Sequence, residues 1–433
     1  MLPATGQGVK KKTTKQPSRR HVTVLRQLVE LIPPHLVPKL ARETGADRQA
    51  RTFSAWSHVV TMLYAQAGHA LGLNDVCDAL RLQVSALWAV RGATPPARNT
   101  LSHANKTRAC ALSEKLFWAM LAHLQSLHRG FARGGDKGLS WRFRRAIHVV
   151  DATTIQLVAS CMDWAKHRRR KAAAKCHLRI DLLSFLPRFA IVDPAREHDS
   201  SRAAEMCAGL RDGEIVLFDK AYLHFAHLWS LAERGVFFVT RAKDNLTAKI
   251  KKRWPAHADP RILRDELIVL TGHYARRDYP GVLRRVTALV EVDGVEREMV
   301  FLTNNLTWSP RTVADLYRCR WSIETFFKQL KQTVQLVDFL GNNANAVKWQ
   351  VWTALLVHLL LRFLAWRSRW THSFTRLFTY IRAALWLERD LANLLQRCGT
   401  ADGGHRCIGR PAQSWLPGFA AQIMGQHACA YPS

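Results

Sequence analysis

The sequence predicts a mixed α/β core flanked by all-helical regions on both sides, because its hydrophobic period changes along the chain. Apolar residues recur at helical spacing from Val22 to about His128, whereas short runs rich in β-branched residues begin at Ile147. Three such runs come first and two more enclose a helical segment, an order typical of a mixed sheet. The predicted strands are residues 147–158, 176–183, 188–192, 214–218 and 236–240, and the enclosed helix is 222–234.

The net charge narrows the class of partner. The chain carries 64 Lys and Arg against 33 Asp and Glu, a formal net charge of +31. An excess of this size, spread along the whole chain, favours a polyanion, and nucleic acid is the leading choice. A ribosome or an anionic membrane would also suit a basic surface, and a local run of charge is often only a solvated face.

Composition divides the chain into four predicted segments. Residues 1–20 are rich in Lys, Arg, Gly, Pro and Ser with almost nothing to bury, which is typical of a disordered basic arm. A helical domain, expected to bind DNA, follows at 21–135. An α/β domain covers 140–345 and contains a β-rich insertion at about 246–303. The last segment, 346–433, is predicted to be helical with an irregular tail.

Residues 99–108 are the part of the helical domain that best suits DNA. This short polar and basic stretch follows Pro95 and Pro96, and it could enter a groove with Lys106 and Arg108 as candidate contacts. Many surface helices have the same composition, so an ordinary surface helix is the alternative.

The cysteines and the most apolar run bear on location. Nine cysteines are scattered without a Cys-x-x-Cys pair or a secretory leader, which is typical of reduced thiols in a cytoplasmic protein. Residues 349–366 are apolar and about long enough to span a bilayer, but Gln350, His358 and Arg362 interrupt them. We therefore expect a buried helix and no membrane partner.

Three carboxylates are candidate metal ligands. Asp151 lies within a predicted strand, where an uncompensated buried charge is unfavourable, and Asp219 ends another strand. Glu324 would join them from a later helix. Converging carboxylates with few histidines favour Mg²⁺ or Mn²⁺. Each aspartate taken alone is more often a turn or cap residue than a ligand.

The helix that carries Glu324 has an unusual polar pattern. At about 100° per residue, Tyr317, Glu324 and Lys331 fall on nearly one line, and Arg320 lies about 60° aside. An apolar stripe adjoins them, so the helix can pack by one side and present the other to a polar ligand. One carboxylate among a phenol and two cations suggests a metal ion beside a phosphate.

This spacing leads to a family resemblance. Tyr317, Arg320, Glu324 and Lys331 match in full the Tyr-Arg-Glu-Lys signature of a group of bacterial insertion-sequence transposases of the DDE type. The chain therefore resembles that group over the helix that is predicted to hold its third carboxylate.

Other parts of the chain resemble the same group. Residues 151–154 match its first-aspartate block. Residues 219–222, Asp-Lys-Ala-Tyr, are similar to its second-aspartate motif, which is usually Asp-Arg-Gly-Tyr, so Lys and Ala are departures from the pattern. Residues 237–243 and 302–305 resemble flanking blocks. The resemblance covers about residues 22–366.

The resemblance implies a ribonuclease-H-like core, interrupted by a β-rich insertion before the helix that carries the glutamate. Asp151, Asp219 and Glu324 would be the catalytic residues and would hold two Mg²⁺ or Mn²⁺ ions. The implied ligands of a DNA phosphate are Tyr317, Arg320 and Lys331.

The implied activity is DNA transposition. A homodimer in the bacterial cytoplasm, associated with the nucleoid, would bind the terminal inverted repeats of an insertion sequence, cleave at the transposon ends and join the 3′ ends to target DNA by in-line phosphoryl transfer. Further candidate contacts with DNA are Lys328 and, in a basic run that is equally well explained as a solvated loop, Arg168, Arg169 and Arg170.

Two alternatives stay open. A metal-dependent nuclease would use the same core without strand transfer. A non-catalytic DNA-binding repressor, or a domesticated relative, would need only the binding surfaces, although the intact set of three carboxylates argues against it.

Overall fold

The structure is a computed structural model of the 433-residue chain. It describes residues 22–48, 50–131, 143, 145–157, 161–168, 171–194, 199–255, 257–292, 294–334, 336 and 339–398. The predicted basic arm at 1–20 and the tail beyond residue 398 lie outside these residues.

The N-terminal region is helical, as the sequence predicts. Side chains fix where its helices begin, since Thr23 accepts a hydrogen bond from the Arg26 N–H and Ser54 accepts one from the Ser57 N–H. Gly45, in the left-handed region at φ 68°, ends the second helix. The helices are α1 (Val24–Val29), α2 (Leu36–Thr44), α3 (Ala55–Gly68), α4 (Leu73–Leu82), α5 (Val84–Trp88), α6 (Arg98–Thr107) and α7 (Ala111–Leu127).

A mixed sheet follows, with strand order β4-β3-β1-β5-β6. β3 pairs antiparallel with both β1 and β4, whereas β5 and β6 run parallel to β1. This arrangement agrees with the ribonuclease-H-like core that the resemblance implies. The elements are β1 (Ile147–Leu157), α8 (Met162–Ala165), β2 (Lys166–Arg168), β3 (Lys171–Asp181), β4 (Leu186–Pro194), α9 (Asp199–Met206), β5 (Ile215–Phe218), α10 (Phe225–Glu233) and β6 (Phe237–Arg241).

The predicted β-rich insertion continues this sheet and does not form a separate one. β10 pairs antiparallel with β6, with Phe301 opposite Arg241, and β9, β8 and β7 follow in order. The pairing satisfies the backbone groups of β6 that would otherwise form an open sheet edge. The elements are β7 (Ala248–Arg253), β8 (Ile262–Leu270), α11 (His273–Asp278), β9 (Leu283–Val292) and β10 (Val295–Thr303).

The segment that carries Glu324 is not one regular helix, so that expectation is wrong in detail. α12 (Pro310–Arg318) begins at Ser309, whose side chain accepts from the Thr312 N–H. A 3₁₀ turn at Cys319–Trp321, α13 (Ser322–Lys328) and a π turn at Gln329–Thr333 come next. Because 3₁₀ and π turns change the rotation per residue, positions seven apart do not stay in line.

The C-terminal region is helical and shares one hydrophobic core with the N-terminal helices. It consists of α14 (Ala344–Arg367), α15 (Phe374–Ala384) and α16 (Leu391–Gln396). Trp349 on α14 packs its ring against His58, and Trp352 packs against Phe117. By length and composition α14 could cross a membrane, but 83% of its most apolar window is buried inside the protein. The predicted buried helix is therefore the one observed.

Candidate active site

The two aspartates lie side by side because their strands are parallel neighbours. Val150 on β1 is opposite Phe218 on β5, so the next residue of each strand, Asp151 and Asp219, reaches the same edge of the sheet. The carboxyl ends of parallel strands are where α/β sheets usually place their sites. α12 lies beside this edge, and the Tyr317 hydroxyl donates to Asp219 Oδ1 at 3.2 Å.

Arg320 connects the other two carboxylates. Its Nη1 donates to Asp151 Oδ2 at 2.8 Å, and its Nη2 donates to Glu324 Oε1 at 3.0 Å. The guanidinium also lies over the Tyr317 ring, 5.6 Å from its centre. The three predicted carboxylates and two of the three predicted phosphate ligands therefore form one continuous cluster.

The electrostatics of the cluster follow from burial and from mutual repulsion. Burial, first of all, raises the pKa of Asp151 to about 6, although Arg320 opposes the shift. The charges of Asp219 and Glu324 raise it further. Burial acts against the charge on Arg320 as well, but Tyr317 and the carboxylates outweigh it and raise the arginine pKa.

Tyr317 is a hydrogen-bond donor in this site. Its side chain is almost completely buried, and burial is the main reason that its pKa is raised, with the Asp219 carboxylate adding to the shift. The phenol therefore keeps its proton at physiological pH. It can donate that hydrogen to a carboxylate, as here, or to a phosphate oxygen.

The donor set suits a divalent cation, and a cation already lies within it. Carboxylate oxygens are the ligands that Mg²⁺ and Mn²⁺ prefer. In the described part of the chain no group of three or more His, Cys, Asp or Glu side chains is arranged to hold a metal ion, and the Arg320 guanidinium spans Asp151 and Glu324. The residues fit a divalent ion in kind, provided that Arg320 releases at least one carboxylate.

Lys331 forms no ion pair with the carboxylates of this cluster. It falls in the π turn, half-buried, near the Cys176 thiol of β3. Burial lowers its pKa, and no carboxylate of the described residues forms an ion pair with it. The π turn changes the rotation of Lys331 relative to Glu324, and the contact of Lys331 with phosphate stays a prediction.

The other predicted DNA contacts differ in availability. Lys106 on α6 and Lys328 on α13 are exposed. Arg108 is already engaged, because its guanidinium donates to the Phe53 and Ser54 carbonyls and lies over the Phe53 ring. Its geometry thus indicates a structural role in holding the turn before α3. The side chain of Arg168 and the whole of Arg169 and Arg170 lie outside the described residues.

Arg241 is a site residue that the sequence reasoning missed. It ends β6, the parallel neighbour of β5, and its charge acts on Tyr317. Its position at the end of a buried strand, like that of Asp219, is the signal that could have revealed it. It adds a cation to the edge where the carboxylates meet.

The net positive charge suits DNA, and carboxylates gathered at the carboxyl edge of a mixed sheet suit metal-assisted phosphoryl transfer. The sequence profile described as the transposase DDE domain matches residues 142–360, just over half of the chain. The chain belongs to this family, and it is a DNA transposase that depends on a divalent metal. A second profile, a domain of unknown function designated DUF4372, matches residues 20–89.

Two sequence relatives agree with this assignment. A putative transposase of Sinorhizobium fredii is 30% identical over 314 residues, which are 72% of this chain and 83% of the relative. The probable transposase for insertion sequence element IS5377 of Geobacillus stearothermophilus is 26% identical over 52% of this chain and 58% of its own length. Among solved structures, a piggyBac transposase synaptic complex with hairpin DNA has a TM-score of 0.44 and 10% identity, covering 88% of this chain and 82% of that one.

Proposed function

We propose that this transposase recognises the terminal inverted repeats of its insertion sequence, cleaves at the element's ends and joins the 3′ ends to target DNA. The observation that supports this most is the cluster at the sheet edge, where Tyr317 and Arg320 connect Asp151, Asp219 and Glu324. We also propose that the chain belongs to the group with the Tyr-Arg-Glu-Lys signature.

Two Mg²⁺ or Mn²⁺ ions would be held by the carboxylates of Asp151, Asp219 and Glu324. When bound, such ions supply charge stabilisation for an in-line displacement at phosphorus. The Asp151 side chain is only 18% exposed, and its partial removal from water strengthens its electrostatic interactions.

Arg320 and Tyr317 would then exchange their hydrogen bonds with carboxylates for hydrogen bonds with a DNA phosphate. A guanidinium can grip two phosphate oxygens by parallel hydrogen bonds, so a scissile phosphate can take over the contacts that Arg320 makes with Asp151 and Glu324. Tyr317 would donate its hydroxyl hydrogen to another oxygen. Lys331 would add a point charge from the next turn, and Lys106 and Lys328 would contact DNA outside the site.

We also propose how the protein assembles on DNA. Joining two ends requires both to be held together, which favours a homodimer on paired DNA ends. The formal charge of +31 supports extended contact with DNA and association with the nucleoid.

The direct experiment incubates the full-length protein with DNA that bears both ends of the element, with Mg²⁺, and separates the products. We expect nicks at the 3′ ends followed by joined products. Nicks that are never joined would support a nuclease, and binding without cleavage would support a repressor. The same assay is run with Glu324→Gln, which removes one carboxylate of the cluster. Glu298→Gln is its matched control, because Glu298 is an exposed carboxylate on β10 and its loss changes the charge equally.

A further inference from the structure

A large pocket lies behind the helix that carries Glu324. It has a volume of about 680 Å³ and is enclosed by the turn between β3 and β4, by one side of α13 and by the end of α14. Ser322 and Thr325 of α13 line it, whereas Glu324 points to the sheet edge. The pocket is thus separate from the carboxylate cluster but shares a helix with it.

The charge in this pocket is positive and lacks an internal acid. Arg362 and Arg369 line it, and no Asp or Glu is among its described lining residues. The Arg362 guanidinium lies 5.1 Å from the centre of the Phe185 ring, and burial lowers its pKa. No described carboxylate forms an ion pair with it. A half-buried cation without an acidic partner can gain an ion pair from an anion outside the protein.

The other lining groups suit a flat ring with polar edges. Trp366 is 37% exposed, and Trp370 and Phe185 supply further aromatic faces. Ser184 Oγ is buried and has no hydrogen-bond partner among the described residues. Nucleic-acid bases stack on aromatic side chains of this kind whatever their sequence.

We propose that this pocket binds an unstacked nucleotide of a DNA strand, with Arg362 and Arg369 on its phosphate and Trp366 and Trp370 against its base. The volume lies within the range of about 300–1,000 Å³ that is usual for small-ligand sites. The proposal rests on DNA binding by this chain and not on its cleavage chemistry. Because Ser322 and Thr325 belong to α13, an occupant would press on the helix that positions Glu324.

The test uses the full-length protein without metal, so that cleavage plays no part. A short single-stranded oligonucleotide containing 5-iododeoxyuridine is photo-crosslinked, and the adduct is mapped by mass spectrometry. We expect the adduct within residues 362–370. Fluorescence anisotropy with the same oligonucleotide should show binding that is about tenfold weaker in Arg362→Gln and several-fold weaker in Arg369→Gln.

Arg367→Gln is the matched control, since Arg367 is an exposed arginine of the same helix that contacts Phe363 and does not line the pocket. It should change affinity by less than about twofold. Arg369 is exposed, so its variant informs even if Arg362→Gln folds poorly.

Two results would overturn the proposal. One is an adduct found only outside the pocket together with unchanged affinity in Arg369→Gln. The other is equally tight binding of thymidine monophosphate, weakened by the same two substitutions, since the pocket would then take free nucleotides and not a DNA strand.

Discussion

Arg320 and Arg362 lie on opposite sides of the helix layer that carries Glu324, and they satisfy their charges differently. Arg320 is held by Asp151 and Glu324 inside a cluster of acids, whereas Arg362 lies over Phe185 in a pocket without an acid. Arg320 must give up a partner before a metal or a phosphate can bind. Arg362 has a place for an anion already. The partner of a cation, more than its burial, therefore indicates which ligand its site can bind.

The largest expected effect is on DNA cleavage, which we expect to depend on the carboxylate cluster and not on the pocket. Glu324→Gln removes one carboxylate of the cluster, and cleavage of end-bearing DNA should fall by about 10³-fold or more, the upper range for loss of one electrostatic group. The Glu324 side chain is 58% exposed, so we expect little change in melting temperature or in DNA binding. Rates from gel assays and Kd values from anisotropy check both statements. Cleavage at the wild-type rate would contradict the assignment.

The second prediction concerns acid stability behind α13. His358 on α14 is buried, and its Nε2 lies 3.0 Å from Gln329 Oε1, next to the pocket. Burial holds its pKa well below the ordinary 6.5, so below that pH the unfolded chain binds the proton more readily. Folding stability should therefore fall as pH is lowered from about 6.5, by up to about 1.4 kcal/mol per pH unit from this residue.

Denaturant unfolding at pH 7 and pH 5 tests this for the wild type and for His358→Gln, which keeps an amide nitrogen near Gln329. The variant should show a shallower loss between the two pH values. An equally steep loss in both proteins would place the acid sensitivity elsewhere.

The smallest expected effect tests whether Arg320 competes with metal. Arg320→Gln removes the cation that spans Asp151 and Glu324, so the DNA-free protein should bind Mn²⁺ about tenfold more tightly, or about 1.4 kcal/mol. Arg318→Gln is the control, because Arg318 pairs with Asp315 at the surface of α12. Calorimetric titration measures both. Unchanged or weaker Mn²⁺ binding in Arg320→Gln would show that the guanidinium does not compete with the metal for the carboxylates.

Much of the fold was accessible from the sequence, because local patterns decide it. Strand period and strand-end aspartates located β1, β5 and their neighbours, and the register Val150 to Phe218 then brings Asp151 beside Asp219. The sequence did not show which strand of the core sheet the inserted strands would pair with. The edge of β6 is completed by β10, a partner some sixty residues away that no local pattern specifies.

The site was predicted less completely for similar reasons. Spacing placed Tyr317, Arg320 and Glu324 on one side of a helix, but it could not show that Arg320 bonds to two of the acids. The π turn that carries Lys331 has no simple sequence signal. The pocket could not be predicted from the sequence, because residues 182–185 and 362–370 meet only in the folded chain.

The central claim is that Asp151, Asp219 and Glu324 together bind the catalytic metal, and direct counting of bound Mn²⁺ tests it most directly. Electron paramagnetic resonance of the protein bound to end-bearing DNA should show saturable Mn²⁺ in the wild type. Asp219→Asn and Glu324→Gln should each lose most of it while still binding DNA. Undiminished Mn²⁺ in both variants would contradict the account.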